Sequence, residues 1–323
     1  MILKLLTHIS RVLVGLLFIY SGFVKLVDPI GSQYKFEEYF SASVLNMEFL
    51  IPFALPFSIL LIVAELVLGV MLLVGYKSKL TVWSLFGLNT IFMFLTWYSY
   101  TYNKVTDCGC FGDAIKLTPK ETFYKNVILM VFIVILIKGV EYIKPLISNK
   151  IASLTTFVSL FISLGISYYV LNHLPIIDFR AYAVGKDIAE GMKYQDGSDE
   201  IPPIHDFMIE TEDGDKLEEM LAKEKAMLIL MYNFDKTEKE GIAKVAEAAK
   251  KAKEQGYEIY VLTASYIEDL EATQQKYGLP YEFGFCDETA LKTAIRANPG
   301  IMTVKNGVIA GKWNWTDADD VEL

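Results

Sequence analysis

Two cysteines one residue apart, Cys108 and Cys110, lie in Asp107-Cys108-Gly109-Cys110-Phe111-Gly112-Asp113. The chain has 323 residues and three cysteines, so a close pair in a glycine-flanked loop points to sulfur chemistry. A disulfide needs Cα atoms within about 7 Å, which an i, i+2 pair just meets, and so small a ring is strained. Strained, exposed disulfides are the labile and catalytic ones. Gly109 and Gly112 let the backbone bend around the sulfurs. Asp107 and Asp113 put negative charge beside them and disfavour a standing thiolate. The pattern reads first as a catalytic, redox-active pair. An inert bridge that pins the loop is an alternative, and a zinc site made of two thiolates and two aspartates is a third. No Cys-x-x-Cys or histidine spacing supports zinc, so no metal is expected. The third cysteine, Cys286, ends a strand-like run at the sheet edge where α/β folds keep their sites. It is a candidate resolving thiol, or else a buried packing residue.

What holds these residues is a membrane protein. The chain is 53% hydrophobic, with mean hydropathy +0.34, too apolar for an ordinary soluble domain. From residue 204 onward there are 24 acidic and 14 basic residues, net −10; the totals of 39 and 30 leave 15 and 16 before it, net +1. An oily, near-neutral front precedes an acidic, water-soluble back. The acidic back excludes nucleic acid as a partner.

Five apolar stretches are candidate spans of about 20 residues: 5–27, 50–74, 80–100, 123–137 with its flanks, and 151–174. Lys4 and Arg11, Lys77 and Lys79, and Lys138, Lys144 and Lys150 then share one side, which is cytoplasmic. The Cys-Gly-Cys loop and everything after the fifth span face the other side, the periplasm of a bacterium, where disulfides persist. The expected divisions are a bundle over 1–145, a fifth transmembrane helix over 146–174, a linker over 175–203 and a periplasmic domain over 204–323.

The first span carries Lys4, His8, Arg11, Gly15, Phe18, Gly22 and Lys25 at steps of four and three, on one helix face. Counting about 1.5 Å per residue from the cytoplasmic ends puts Arg11 about 9 Å deep, and Glu65 and Asn89 about 13 Å. An Arg11–Glu65 pair with Asn89 nearby is therefore expected, either as a lock for the bundle or as a polar site for a quinone head group or proton path. Lys25 is expected to snorkel to the outer surface.

In the acidic half, strands and helices alternate and close with a hairpin at Asn306-Gly307, an α/β pattern with helices on both faces of a sheet. The β-α-β order, followed by Asn298-Pro299-Gly300 entering the hairpin, resembles the thioredoxin fold over about 204–315. The resemblance implies that Pro299 takes the position of that fold's cis-proline, and that Asn298 and Pro299 dock an extended substrate. The matching redox motif is missing: where a Cys-x-x-Cys would stand, the chain reads Tyr232-Asn233-Phe234-Asp235-Lys236-Thr237-Glu238.

Arg11-Val12-Leu13-Val14-Gly15, Ser21-Gly22-Phe23-Val24-Lys25-Leu26-Val27-Asp28-Pro29, Glu65 and the Cys-Gly-Cys loop resemble the DoxX family and its MauE-like relatives over about 1–145. That resemblance implies a four-helix membrane bundle with the fifth span as an added tether, and an association with quinone-linked sulfur oxidation or periplasmic disulfide maturation. Residues 178–185 and 291–300 resemble DoxX-family proteins of Bacteroides-type bacteria, in which such a bundle is joined to a cysteine-poor thioredoxin-like domain. Two functions follow. One is an inner-membrane thiol–disulfide oxidoreductase that passes electrons from Cys108–Cys110 to a membrane quinone. The other is a non-enzymatic assembly factor, with a structural bridge and a docking domain for a periplasmic or membrane protein partner. A transporter is disfavoured, because no interrupted helices occur in matched halves.

Overall fold

The computed structural model describes residues 1–105, 109–194 and 201–323, which divide into two compact units, Met1–Leu171 and Asn172–Leu323. The first holds α1 (Ile2–Val27), α2 (Pro29–Phe40), α3 (Ala54–Val74), α4 (Ser78–Tyr102), α5 (Pro119–Lys138) and α6 (Asn149–Asn172), and all but α2 track the apolar runs. The sequence pattern missed α2. Its start signal is local: Asp28 Oδ1 accepts the Gly31 N–H at 3.0 Å and Pro29 takes the first helical position.

Four stretches among the described residues are long and apolar enough to cross a membrane: Ile2–Val27, Glu48–Val74, Ser78–Tyr102 and Asn149–Asn172. α5, expected as a span, falls outside that set because Lys120, Glu121, Lys125 and Lys138 punctuate its 20 residues. It nevertheless packs into the bundle, where Leu129, Ile133 and Leu136 join Val14 and Phe18 of α1 and Val82 and Leu85 of α4. Leu5, Leu16, Leu60 and Phe161 face outward. The buried side of α1 instead holds Thr7, Ser10, Arg11, Gly15, Ser21, Gly22 and Lys25. An apolar outside over a polar, small-residue inside suits a lipid bilayer.

Glycines set the approach of α1 to α3. A Cβ on Gly15 would lie 2.5 Å from Leu73, and one on Gly69 3.0 Å from the Gly15 carbonyl oxygen. The connectors at 75–78 and 139–148 share one end: Ser78 Oγ donates to Ile143 O at 2.7 Å and the Leu146 N–H to Val74 O at 3.1 Å. At the opposite end Tyr39, Val44 and Val105 cluster.

The second unit is a mixed sheet of seven strands among the described residues, in the order β2-β1-β5-β4-β3-β6-β7. These are β1 (Glu210–Thr211), β2 (Gly214–Asp215), β3 (Ala226–Leu230), β4 (Glu258–Thr263), β5 (Glu282–Phe285), β6 (Gly300–Lys305) and β7 (Val308–Asn314). β3, β4 and β5 run parallel, while β6 and β7 are antiparallel. Every residue of β3 is buried, as a central strand covered on both faces requires. Leu228 and Leu230 enter one core with α7 (Leu217–Leu221) and α9 (Glu288–Ala294); Met227 and Ile229 enter the other with α8 (Lys239–Glu254). The stretch expected as a linker over 175–203 is largely part of this unit. Tyr182 and Ile188 are sealed in the first core, and Asp187 bridges Val308. Gly185 and Pro202-Pro203 look like breakers, yet Ile188, three residues after Gly185, is fully buried, while Tyr194 and Ile201 stay exposed.

Candidate functional site

Cys108 lies outside the described residues, as do residues 106 and 107. Cys110 is described: it is half-buried with a free thiol, on a segment folded against the bundle. Gly109 (φ 63°) and Gly112 (φ 50°) take the left-handed turns the sequence suggested. Phe111 is buried, its ring 5.6 Å from that of Tyr20, with Lys125 Nζ 4.4 Å above it. Ser21 Oγ donates to the Cys110 carbonyl at 2.9 Å.

Behind Ser21 lies a buried ion pair. Lys25 Nζ stands 2.9 and 2.8 Å from the two oxygens of Glu65 and donates to Ser21 Oγ at 2.7 Å. The lysine side chain is 5% exposed and the glutamate 0%, so the charges are compensated by each other rather than by water. The Phe92 ring lies 5.8 Å from the ammonium.

This corrects two expectations. Arg11 does not pair with Glu65, and Lys25 does not snorkel. A Cβ on Gly22 would lie 3.2 Å from that of Glu65, so Gly22 is level with the glutamate. Arg11 stands eleven residues further along α1, about 16 Å away. Lys25 is three residues beyond Gly22, and helical side chains tilt toward the N-terminus, which brings its ammonium back to Glu65. Arg11 instead closes the C-terminus of α3, donating to Leu72 O at 2.9 Å, Leu73 O at 2.8 Å and Lys144 O at 3.1 Å. Cations there satisfy the last carbonyls and the helix dipole. Asn89 is buried but bonds to α5, its Nδ2 donating to Asn126 O at 3.0 Å, and Asn126 Nδ2 reaches Thr96 at 3.3 Å. Sequence reasoning missed Ser21, whose signal was its place four residues before Lys25 on the same face.

Between α1 and α5 runs a cleft of about 720 Å³ lined by Leu13, Leu17, Tyr124, Ile128 and Phe132, with Lys125 toward one end. It is apolar along most of its length and carries charge and hydroxyl groups near Thr118, where α5 begins.

In the second unit the expected residues are less accessible. Cys286 is 0% exposed within the core, and burial first, then Asp287, pushes its thiol up to about 12. It is inert in this state, and a resolving role would require the core to open. Pro299, immediately before β6, is joined to Asn298 by a cis peptide bond. Both are buried. Asn298 Nδ2 donates to Asn233 O at 2.8 Å, and its carbonyl receives the Glu238 N–H at 3.4 Å. The Asn233–Glu238 turn therefore occupies the groups that an extended substrate would use. A third feature went unseen: Asp178 accepts from Arg180 at 2.7 Å and from Lys312 at 2.7 Å, fastening the start of the unit to β7.

No curated protein and no solved structure gives a match. Residues 3–139, which run from α1 through α5 and hold Ser21, Lys25, Glu65 and Cys110, match the family model of the methylamine utilisation protein MauE, and the helical unit is similar to that membrane family.

Proposed function

We propose that this chain is a membrane thiol–disulfide electron-transfer protein, with Cys108 and Cys110 as its redox pair and a membrane quinone as the electron acceptor. The observation that carries the reading is the seating of the Cys110 segment on a MauE-like bundle through Ser21 and Phe111. A free connector would need no such anchorage. Oxidation of the two thiols forms one S–S bond and releases two protons and two electrons, which convert one quinone to one quinol. Exchange with a substrate dithiol then regenerates the thiols and leaves the substrate disulfide-bonded. The α1–α5 cleft supports the acceptor: its apolar length suits an isoprenoid tail, and Lys125 and the groups near Thr118 suit a polar head.

Lys77, Lys79, Lys138 and Lys144 lie in or beside the two bundle connectors that share one end, which supports a cytoplasmic end there and a periplasmic loop and domain in a bacterial inner membrane. A thioredoxin-like reading of the second unit is supported by the run β5-β4-β3-β6-β7 and by the contact of Asn298 with the turn after β3. In that reading the unit recruits a periplasmic or membrane protein partner, since its own turn lacks sulfur. Thiol trapping with a mass-shifting reagent in intact membranes tests the pair. The reading requires a Cys108–Cys110 disulfide opened by a mild reductant, and a pair that resists reduction contradicts it.

The alternative, a non-enzymatic assembly factor, is favoured by one observation. Cys286, Asn298 and Pro299 are all buried, so none of the three residues expected to act in the second unit is presented at its surface.

A further inference from the structure

The hydrogen bonds that lead to the cysteine loop have an assignable direction. Lys25 holds three protons and no acceptor. It donates to both oxygens of Glu65 and to Ser21 Oγ at 2.7–2.9 Å, with the Ser21 carbonyl a longer contact at 3.4 Å. Ser21 thus receives a proton on one lone pair, and its single hydroxyl proton goes to the Cys110 carbonyl, 2.9 Å away. Without the ammonium, the hydroxyl would be free to turn back on the carbonyl of its own helix one turn earlier, as serines in helices do. The charged pair orients the serine, and the serine holds the loop. All three side chains are nine-tenths or more buried, where such chains polarise one another and resist exchange with water.

We infer that the Lys25–Glu65 ion pair, acting through Ser21, is the positioning device of Cys110, fixing the backbone on which the thiol is presented. Ser21, Lys25 and Glu65 are positioning residues rather than catalytic ones. The geometric claim stands on the hydrogen bonds alone. Its chemical consequence, that the latch sets the balance between dithiol and disulfide, rests on the redox reading of Cys108–Cys110 proposed above. Closing an i, i+2 ring requires the backbone at Cys110 to turn, so a carbonyl held from below biases that equilibrium.

The test uses the full chain in membranes, with Cys108→Ser so that, with Cys286 buried, Cys110 is the thiol that takes the label. Its alkylation rate by a water-soluble maleimide reads the freedom of the loop. Ser21→Ala is expected to raise the rate about fivefold, the Boltzmann weight of one hydrogen bond. Lys25→Met/Glu65→Met, which removes both charges together, is expected to raise it equally, and the triple variant no further, since all three break one chain of contacts. Ser21→Thr, which keeps the hydroxyl, restores the slow rate. An unchanged rate in Ser21→Ala, or additive effects in the triple variant, overturns the inference. Ser21→Ala leaves the ion pair intact, so misfolding of the double variant does not remove the test. In the protein with both cysteines, Ser21→Ala is also expected to shift the glutathione ratio at which the pair is half reduced. A wild-type pair that never titrates contradicts the redox reading, while the alkylation rates still judge the latch.

Discussion

Lys25 Nζ lies 2.8 Å from Glu65 Oε2, a contact between two helices that neither charge could survive alone so far from water. Removing one partner of a buried pair strands the other and costs about 3–5 kcal/mol, whereas replacing both with apolar groups is often near neutral. Glu65→Gln and Lys25→Met are each expected to lower the thermal midpoint of the detergent-solubilised protein sharply, and Lys25→Met/Glu65→Met to recover most of it. Equal losses in the single and double variants would contradict this account of the pair.

Arg11 is expected to behave differently. It holds three backbone carbonyls at the far end of the bundle, so Arg11→Met should destabilise by about 2–3 kcal/mol, from lost charged hydrogen bonds. Because it bonds to none of the described residues of the cysteine loop, the alkylation rate of Cys110 should not change. A faster rate in Arg11→Met would mean that the loop senses general loosening rather than the latch.

Cys286 should be chemically silent in the folded state. With its thiol near 12 through burial and Asp287, the thiolate fraction at pH 8 is on the order of 10⁻⁴. Iodoacetamide is expected to label Cys286 only after denaturant is added. Labelling in native membranes at a rate like that of Cys110 would restore it as a resolving thiol.

The clasp at the start of the second unit predicts a pH dependence. Burial, then the like charge of Arg180, lowers the Lys312 ammonium to about 7, with Asp178 opposing. Asp178 is held at about 2: burial alone would raise it, but Arg180 and Lys312 outweigh that. Between about pH 7 and pH 10 the unfolded chain carries a lysine proton that the folded chain lacks, so the lysine's contribution to stability rises with pH across that window. The Asp178 contribution has the opposite end: it is present above the unfolded carboxylate value and is lost as pH falls toward 2. The urea midpoint should increase from about pH 7 to about pH 8, below the range where the raised Cys286 thiol begins to oppose the lysine, and Lys312→Met should flatten that slope. A slope unchanged by Lys312→Met would show that other groups cause it.

Much of the architecture was legible because its signals are local. The apolar runs marked the long bundle helices, and Asn306-Gly307 marked the closing turn. Of the α1 stripe, Arg11, Gly15, Phe18, Gly22 and Lys25 turn inward, whereas Lys4 is exposed and His8 half-buried. Pairing across the bundle was not legible, because depth counted from the ends of two apolar runs ignores the register that Gly15, Gly22 and Gly69 impose. That error exchanged Lys25 for Arg11. The covering of Asn298 and Pro299 was also invisible, since it arises from a turn some 60 residues earlier in the chain. The span 175–203 looked like a linker because its breakers are conspicuous, while the burial of Tyr182 and Ile188 depends on a sheet that forms later in the sequence.

The most direct test of the account is anaerobic re-oxidation of the reduced protein by added quinone in detergent or nanodiscs, followed by quinol absorbance and thiol counting together. The account predicts one quinol formed and two thiols lost per chain, with both signals abolished in Cys110→Ser. Thiols that persist in the presence of quinone would contradict it and leave the bundle as a platform for assembly.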